Sequence, residues 1–150
     1  LIKLKNGSGF WLTVPIAKNT YELNINEVNL APDYGWKKKL LKNIEFNLGL
    51  DLSNIYNSEK LIDVNMESIK YCRKKLNIKT EMIFSSDLPV SGKKSELIYN
   101  ICKHVGAKKY ISGQGAKDYM DLELFNDIDV EFFEPQLENN YSTIYNLRVN

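Results

Sequence analysis

Apolar residues recur every four positions from Trp36 through Leu40 and Ile44 to Leu48, a spacing that predicts an amphipathic helix. Asp33 stands where a capping side chain would open that helix, and Gly49 where a left-handed residue would end it. Leu97, Ile98, Ile101, Cys102 and Val105 predict a second helix over about 94–105, closed by Gly106. Met66, Ile69, Cys72 and Leu76 predict a third, capped by Asn65. Residues 50–64 read as a connection with one short helical turn, and about 118–126 as a short helix opened by Asp118.

Other stretches alternate with the period of a strand. Leu1–Lys5 and Phe10–Ile16 flank a Gly7-Ser8-Gly9 turn and predict a β-hairpin. In its second strand Trp11, Thr13 and Pro15 share one face, and Leu12, Val14 and Ile16 the other. Asn24–Ala31 is a weaker strand candidate, ended by Pro32. Ile78–Phe84, residues 108–112 and Asp129–Phe133 predict three further strands, and the tail from Pro135 reads as polar and irregular. Helix and strand therefore alternate through the second half, at spacings that suit crossover connections. The fold expected is α/β: a mainly parallel sheet flanked by helices, with an N-terminal β-hairpin, in one domain over residues 1–150.

Composition narrows the function classes. The chain has 150 residues, long enough for one sizeable core. Its 20 Lys and Arg against 19 Asp and Glu, with no aromatic-basic platform, argue against nucleic-acid binding. No apolar stretch approaches the ~20 residues of a membrane span, and no signal-peptide pattern occurs. Cys72 and Cys102 lie far apart in helical patterns and read as buried thiols. No Cys/His cluster suggests a metal, and no motif calls for a cofactor. His104, the one histidine, falls in the last turn of a helix, where its cationic form suits the dipole. The first residue is not methionine, so a fragment of a longer protein is expected.

In open α/β sheets ligands bind at the carboxyl ends of the strands. Two polar turns fall at such ends, Ser85-Ser86-Asp87 and Ser112-Gly113-Gln114-Gly115. Gly113 and Gly115 would let the backbone approach a phosphate or carboxylate; Ser112 and Ser86 offer hydroxyls; Asp87 would accept from a sugar hydroxyl or amine; Lys117 would neutralise charge. The same glycines also read as residues needed only for backbone angles in tight turns. The turn is neither a dinucleotide fingerprint nor a P-loop. Tyr119 either faces this site or packs beside Phe125. Trp36 with Lys39 reads either as a core anchor or as a ring that stacks a base or sugar while Lys39 meets a phosphate. Spacing assembles no Ser/His/Asp or Cys/His arrangement, so no catalytic residue is identified.

Several of these pieces together resemble the WbqC-like family of bacterial proteins, found among O-antigen and other surface-polysaccharide biosynthesis genes. Gly9-Phe10-Trp11-Leu12-Thr13-Val14-Pro15-Ile16 is similar to the family's W-L-T-V-P-V strand. Trp36 with Lys39 is similar to its W-x-x-K-H helix, with Leu40 in place of the histidine. Ser85-Ser86-Asp87-Leu88 matches its serine-rich turn, and Tyr110-Ile111-Ser112-Gly113 with Gly115, Asp118, Tyr119 and Asp121 its Y-L-S-G-x-x-G-x-x-Y-L-D signature, the second glycine displaced. The family's N-terminal segment, with a His-Gln-Pro motif, is missing, and Tyr145 replaces the acid of its S-I-x-D ending. The resemblance implies a cytoplasmic protein of surface-glycan biosynthesis that binds an activated sugar or other phosphate-bearing small molecule. It points to an acyl or aminoacyl transferase acting on a nucleotide-linked amino sugar, or else to a non-catalytic sugar-nucleotide-binding or scaffold protein of that pathway.

Overall fold

A computed structural model describes residues 1–136 and 139–147. The chain divides into two compact units. One holds Leu1–Lys79 with the segment from Asn139 onward, and the other begins at Thr80.

The first unit opens with an antiparallel pair, β1 (Ile2–Lys3) and β2 (Gly9–Phe10), in the register Ile2 to Phe10 and Lys3 to Gly9. This is the expected hairpin, shortened. Residues 11–15 continue without ladder pairing, although Leu12 and Val14 still turn onto the core while Trp11 stays 72% exposed. The strand expected at Asn24–Ala31 is reduced to isolated bridges, Ile16 to Leu30 and Asn29 to Lys60. Val28 and Leu30 are buried there, but a turn over Asn24–Glu27 occupies the first half. The Glu27 carboxylate accepts from the Asn24 backbone and side-chain N–H groups, which holds the turn and lowers the Glu27 pKa.

Helix α1 (Trp36–Leu48) follows the four-residue spacing. Leu40, Ile44 and Leu48 are its buried residues. Asp33 caps it from two positions before the Gly35 boundary, its Oδ1 accepting from the N–H groups of Gly35 and Lys37. Gly49 ends the helix at φ 67°, its N–H donating to the Glu45 carbonyl. A 3₁₀ turn (Ser53–Tyr56) supplies the short helical turn of the connection and buries Ile55 and Tyr56.

Helix α2 (Leu61–Lys75) starts before Asn65, which therefore caps nothing. Ser58 organises the true start: its hydroxyl donates to Asp63 and accepts from the Lys60 N–H. The buried face runs through Leu61, Val64 and Tyr71, one step round from the expected stripe. Ile69, Cys72 and Leu76 instead line an open apolar depression of about 440 Å³ with Ile78 and Ile144. Asn77, at φ 53°, ends the helix, while the Ile78 N–H reaches back to the Arg73 carbonyl. A short helix α4 (Thr143–Asn146), capped by Ser142, lies where an irregular tail was expected and buries Tyr145 against Tyr141. Residues 137 and 138 of that tail lie outside the described residues.

The second unit carries α3 (Lys94–His104), β3 (Lys109–Gly113) and β4 (Asp129–Phe133). Gly106 closes α3 at φ 69°, with the Ala107 N–H donating to the Cys102 carbonyl. Strands β3 and β4 are parallel, Lys109 facing Asp129 and Gly113 facing Phe133. Fold class is thus helices with a small parallel sheet and an N-terminal antiparallel pair. Ile78–Phe84 forms no strand, and Ile78, Met82, Ile83 and Phe84 are exposed. The helix expected at 118–126 is also absent, replaced by 3₁₀ turns at Gln114–Ala116 and Leu122–Phe125. Met120 and Phe125 are both buried, yet five positions apart they would lie on different faces of an α-helix. Separate turns aim both inward, where Cys102 and Ile128 complete a small core.

Surface ion pairs tie this unit together. Lys109 bridges Asp129 and Glu131 across the strand pair, each at 3.0 Å. Lys103 on α3 pairs with Asp127, which also accepts from the Tyr99 hydroxyl. The Lys103 ammonium holds the Asp127 carboxyl below the usual range, and Asp127 in turn raises the Lys103 pKa.

Two stability outcomes are expected. Asp33→Ala removes the α1 cap and lowers unfolding free energy by about 1 kcal/mol in urea titrations, whereas Asp33→Asn retains most of it. Asp127→Asn lowers Tm by about a degree or two near neutral pH. The depressed Asp127 pKa stabilises above the ordinary carboxylate range, so the gap to the parent closes as pH falls through the depressed value. The raised Lys103 pKa stabilises below the ordinary lysine range, so the gap also closes as pH rises through the raised value.

Candidate functional site

Strand β3 delivers the Ser112–Gly115 turn at its carboxyl end. Ser112 is buried in the strand, and Gly113 is its last paired residue. Gln114 folds its side chain back, its Nε2 donating to the Phe132 carbonyl at 3.1 Å, which fastens the turn to β4. The Lys117 N–H donates to the Gln114 carbonyl, and the Met120 N–H to that of Ala116.

Neither glycine is required by the backbone. Gly113 has φ −74° and ψ 154°, extended angles open to any residue, and Gly115 lies inside the 3₁₀ turn without a left-handed φ. Neither is required by packing, because a Cβ added at either position meets no atom within 4 Å. The reading of these glycines as conformational necessities is thereby removed. What the pair provides is uncovered main chain beside a buried serine. The turn does not lead into an α-helix, so no helix N-terminus backs it, and Asp118 caps no helix.

Tyr119 is 71% exposed, and among the described residues no ring contact joins it to Phe125. Tyr99 meets that ring edge-on at 5.6 Å and Tyr110 stacks on it at 6.0 Å. Asp121 is fixed on both sides: its N–H donates to the Ser95 hydroxyl, and its carboxylate accepts from the Glu123 N–H. Ser85, Ser86 and Asp87 form an exposed 3₁₀ turn in which the Ser86 hydroxyl donates to Asp87. Because Ile78–Phe84 is not paired into a sheet, this turn does not sit at a strand end. Among the described residues no hydrogen bond joins it to the Ser112–Gly115 turn.

Trp36 and Lys39 belong to the other unit. Trp36 packs against the core and donates its indole N–H to the Ala31 carbonyl at 3.1 Å, as an anchor would. It also lines a cleft of about 220 Å³ with Phe10, Trp11, Thr13, Lys39 and Asn43. Sequence reasoning did not single out Trp11 and Asn43, which share this cleft. The signals were present: Trp11 on the face opposite Leu12 and Val14, and Asn43 seven positions after Trp36 on the same helix face.

The remaining chemistry is sparse. Burial raises the pKa of both Cys72 and Cys102, so neither is poised as a thiolate. His104 is exposed at the end of α3. Among the described residues no group of three or more His, Cys, Asp or Glu side chains is placed to hold a metal ion, and no helix is long and apolar enough to cross a membrane.

Comparison with known proteins places the chain. It is 27% identical to the uncharacterized protein Rv1507c of Mycobacterium tuberculosis, in a match covering 85% of this chain and 61% of that protein. The chain thus spans about three fifths of the length of this curated relative. No solved structure matches it. The model of the WbqC-like protein family matches residues 1–147, nearly the whole sequence, and the chain belongs to that family.

Proposed function

We propose that this chain acts in the cytoplasm in the biosynthesis of bacterial surface glycans, as a transferase that places an acyl or aminoacyl group on the amine of a nucleotide-linked amino sugar. Family membership supports the pathway. The observation that carries the ligand site is the pair Gly113 and Gly115, neither demanded by backbone angle nor by packing. In this reading the phosphate end lies against the main chain at Ser112, Gly113 and Gly115. Exposed Tyr119 meets hydroxyl or amine groups of the ligand, and Ser85, Ser86 and Asp87, whose turn no hydrogen bond joins to this one among the described residues, are left out of the site. The amine nitrogen bonds to the donor's carbonyl carbon, the leaving group departs with its electron pair, and the amine proton passes to a base to which no residue is assigned.

A second reading, a non-catalytic sugar-nucleotide-binding or scaffold protein of the same pathway, draws on the raised thiol pKa values and the exposed lone histidine. Both readings share the site; turnover with acyl donors separates them.

The test uses calorimetric titration with UDP and UDP-amino sugars beside thermal unfolding. Gly113→Ala and Gly115→Ala are expected to keep or raise stability, by about 0.4–1 kcal/mol, through the less flexible unfolded chain. Each is expected to weaken nucleotide binding by about tenfold or more, about 1.4 kcal/mol. Ser112→Ala and Tyr119→Phe should weaken it with little change in Tm. Parental affinity in all four variants, or no binding by the parent, sinks the proposed site.

A further inference from the structure

We infer that the cleft between Trp11 and α1 is a binding site for a single pyranose ring carrying an anionic substituent, a phosphate or a carboxylate. The inference goes beyond the glycine turn and does not depend on it.

Its first support is the cost of leaving the walls open. Trp11 is 72% exposed and the adjoining Phe10 41% exposed. A tryptophan carries roughly 150–250 Å² of surface that burial would remove from water. Here an indole instead forms one wall of a concavity, beside a second indole that is held still. Trp36 is fixed by its hydrogen bond to Ala31 and by the core beneath it, so a ring settling on it would meet a surface that needs little reordering.

The second support is the polar set. Trp36, Lys39, Leu40 and Asn43 occupy one face of α1 at offsets of three, four and seven. The Asn43 amide offers a donor and an acceptor, and Thr13 a hydroxyl that can do either, which suits neighbouring ring hydroxyls. Lys39 is exposed at the same cleft and supplies a positive charge for one anionic group. A ring with apolar C–H faces, equatorial hydroxyls and one negative substituent uses all of these groups; a base without its phosphate leaves the Lys39 charge unmet.

Size is the third support. At about 220 Å³ the cleft is smaller than the roughly 300–1,000 Å³ typical of sites for drug-sized ligands. One ring fits it better than a nucleoside with its own sugar.

The chain's composition makes the test clean. It contains two tryptophans, Trp11 and Trp36, and both line this cleft, so indole emission reports on it alone. Titration with glucose 1-phosphate and with glucuronate distinguishes the two anionic substituents, with glucose and UMP as controls. A saturable change in emission is expected with at least one anionic sugar, about tenfold weaker for glucose, and none with UMP. Lys39→Ala should bring the anionic sugar down to the level of glucose. Trp11→Ala, at an exposed position, should keep the parental circular dichroism and abolish binding, followed through the remaining Trp36 and by calorimetry. The Gly113→Ala variant should retain the emission response, so failure of the glycine-turn site and failure of this one are told apart. A response to UMP equal to that of the sugars, no saturable response up to about 10 mM, or a response unchanged by Lys39→Ala and Trp11→Ala overturns the inference.

Discussion

The inner face of α1 is the constraint from which the first unit follows. Leu40, Ile44 and Leu48 are buried there with Ile2 from the hairpin, Leu52 and Ile55 from the connection, Val64 from α2 and Tyr145 from α4. Burying three aliphatic side chains on one helix fixes its rotation, since each contributes about 1.5–3 kcal/mol only when turned inward. That rotation decides where every other side chain of α1 points. Trp36 falls at the edge of the buried stripe, half in the core and half beside Trp11, while Lys39 and Asn43 follow along the same rim. Core packing thus sets the α1 side of the cleft, and Trp36 is held there by the core beneath it.

Elements whose signals are local were legible in the sequence. The α1 stripe, the Gly49 and Gly106 stops, the hairpin turn and β4 each rest on residues a few positions apart. Elements that depend on a distant partner were not. Ile78–Phe84 has the composition of a strand, but strand propensity is mostly the gain from packing and pairing with a neighbour, and no ladder forms along it. At α2 the periodic stripe was real, yet several faces of that helix carry apolar residues. Val64, more than Ile69, met the core. Asn65 looked like a cap because it is a good capping residue, whereas Ser58 and Asp63 had already organised the start upstream.

The candidate site shows the same division. Spacing located the Ser-Gly-x-Gly turn, but could not say whether its glycines answered a backbone need. That depends on φ and on what lies above the Cα, and both are properties of the fold. The expected helix after the turn failed because Met120 and Phe125 each had to reach the same small core. Trp11 was placed on an outward face by its alternation with Leu12 and Val14, but its meeting with Trp36 joins residues on separate elements, which no local pattern records.

The second unit is where an unneeded glycine matters most. Its core is small, with Cys102, Met120, Phe125 and Ile128 as its buried hydrophobic residues, and small cores leave narrow stability margins. Glycine within a turn that any residue could adopt adds to the entropy lost on folding. The unit is held by specific contacts: Tyr99 and Tyr110 against Phe125, Gln114 bonded to Phe132, Asp121 to Ser95, and Lys103 paired with Asp127. Two of these, the Gln114 bond to Phe132 and the Asp121 bond to Ser95, hold the turn by its flanks, while Gly113 and Gly115 stay exposed. A turn fastened to its neighbours on both sides keeps its position while its two glycines stay exposed, so its order comes from the flanking bonds and not from the glycines themselves.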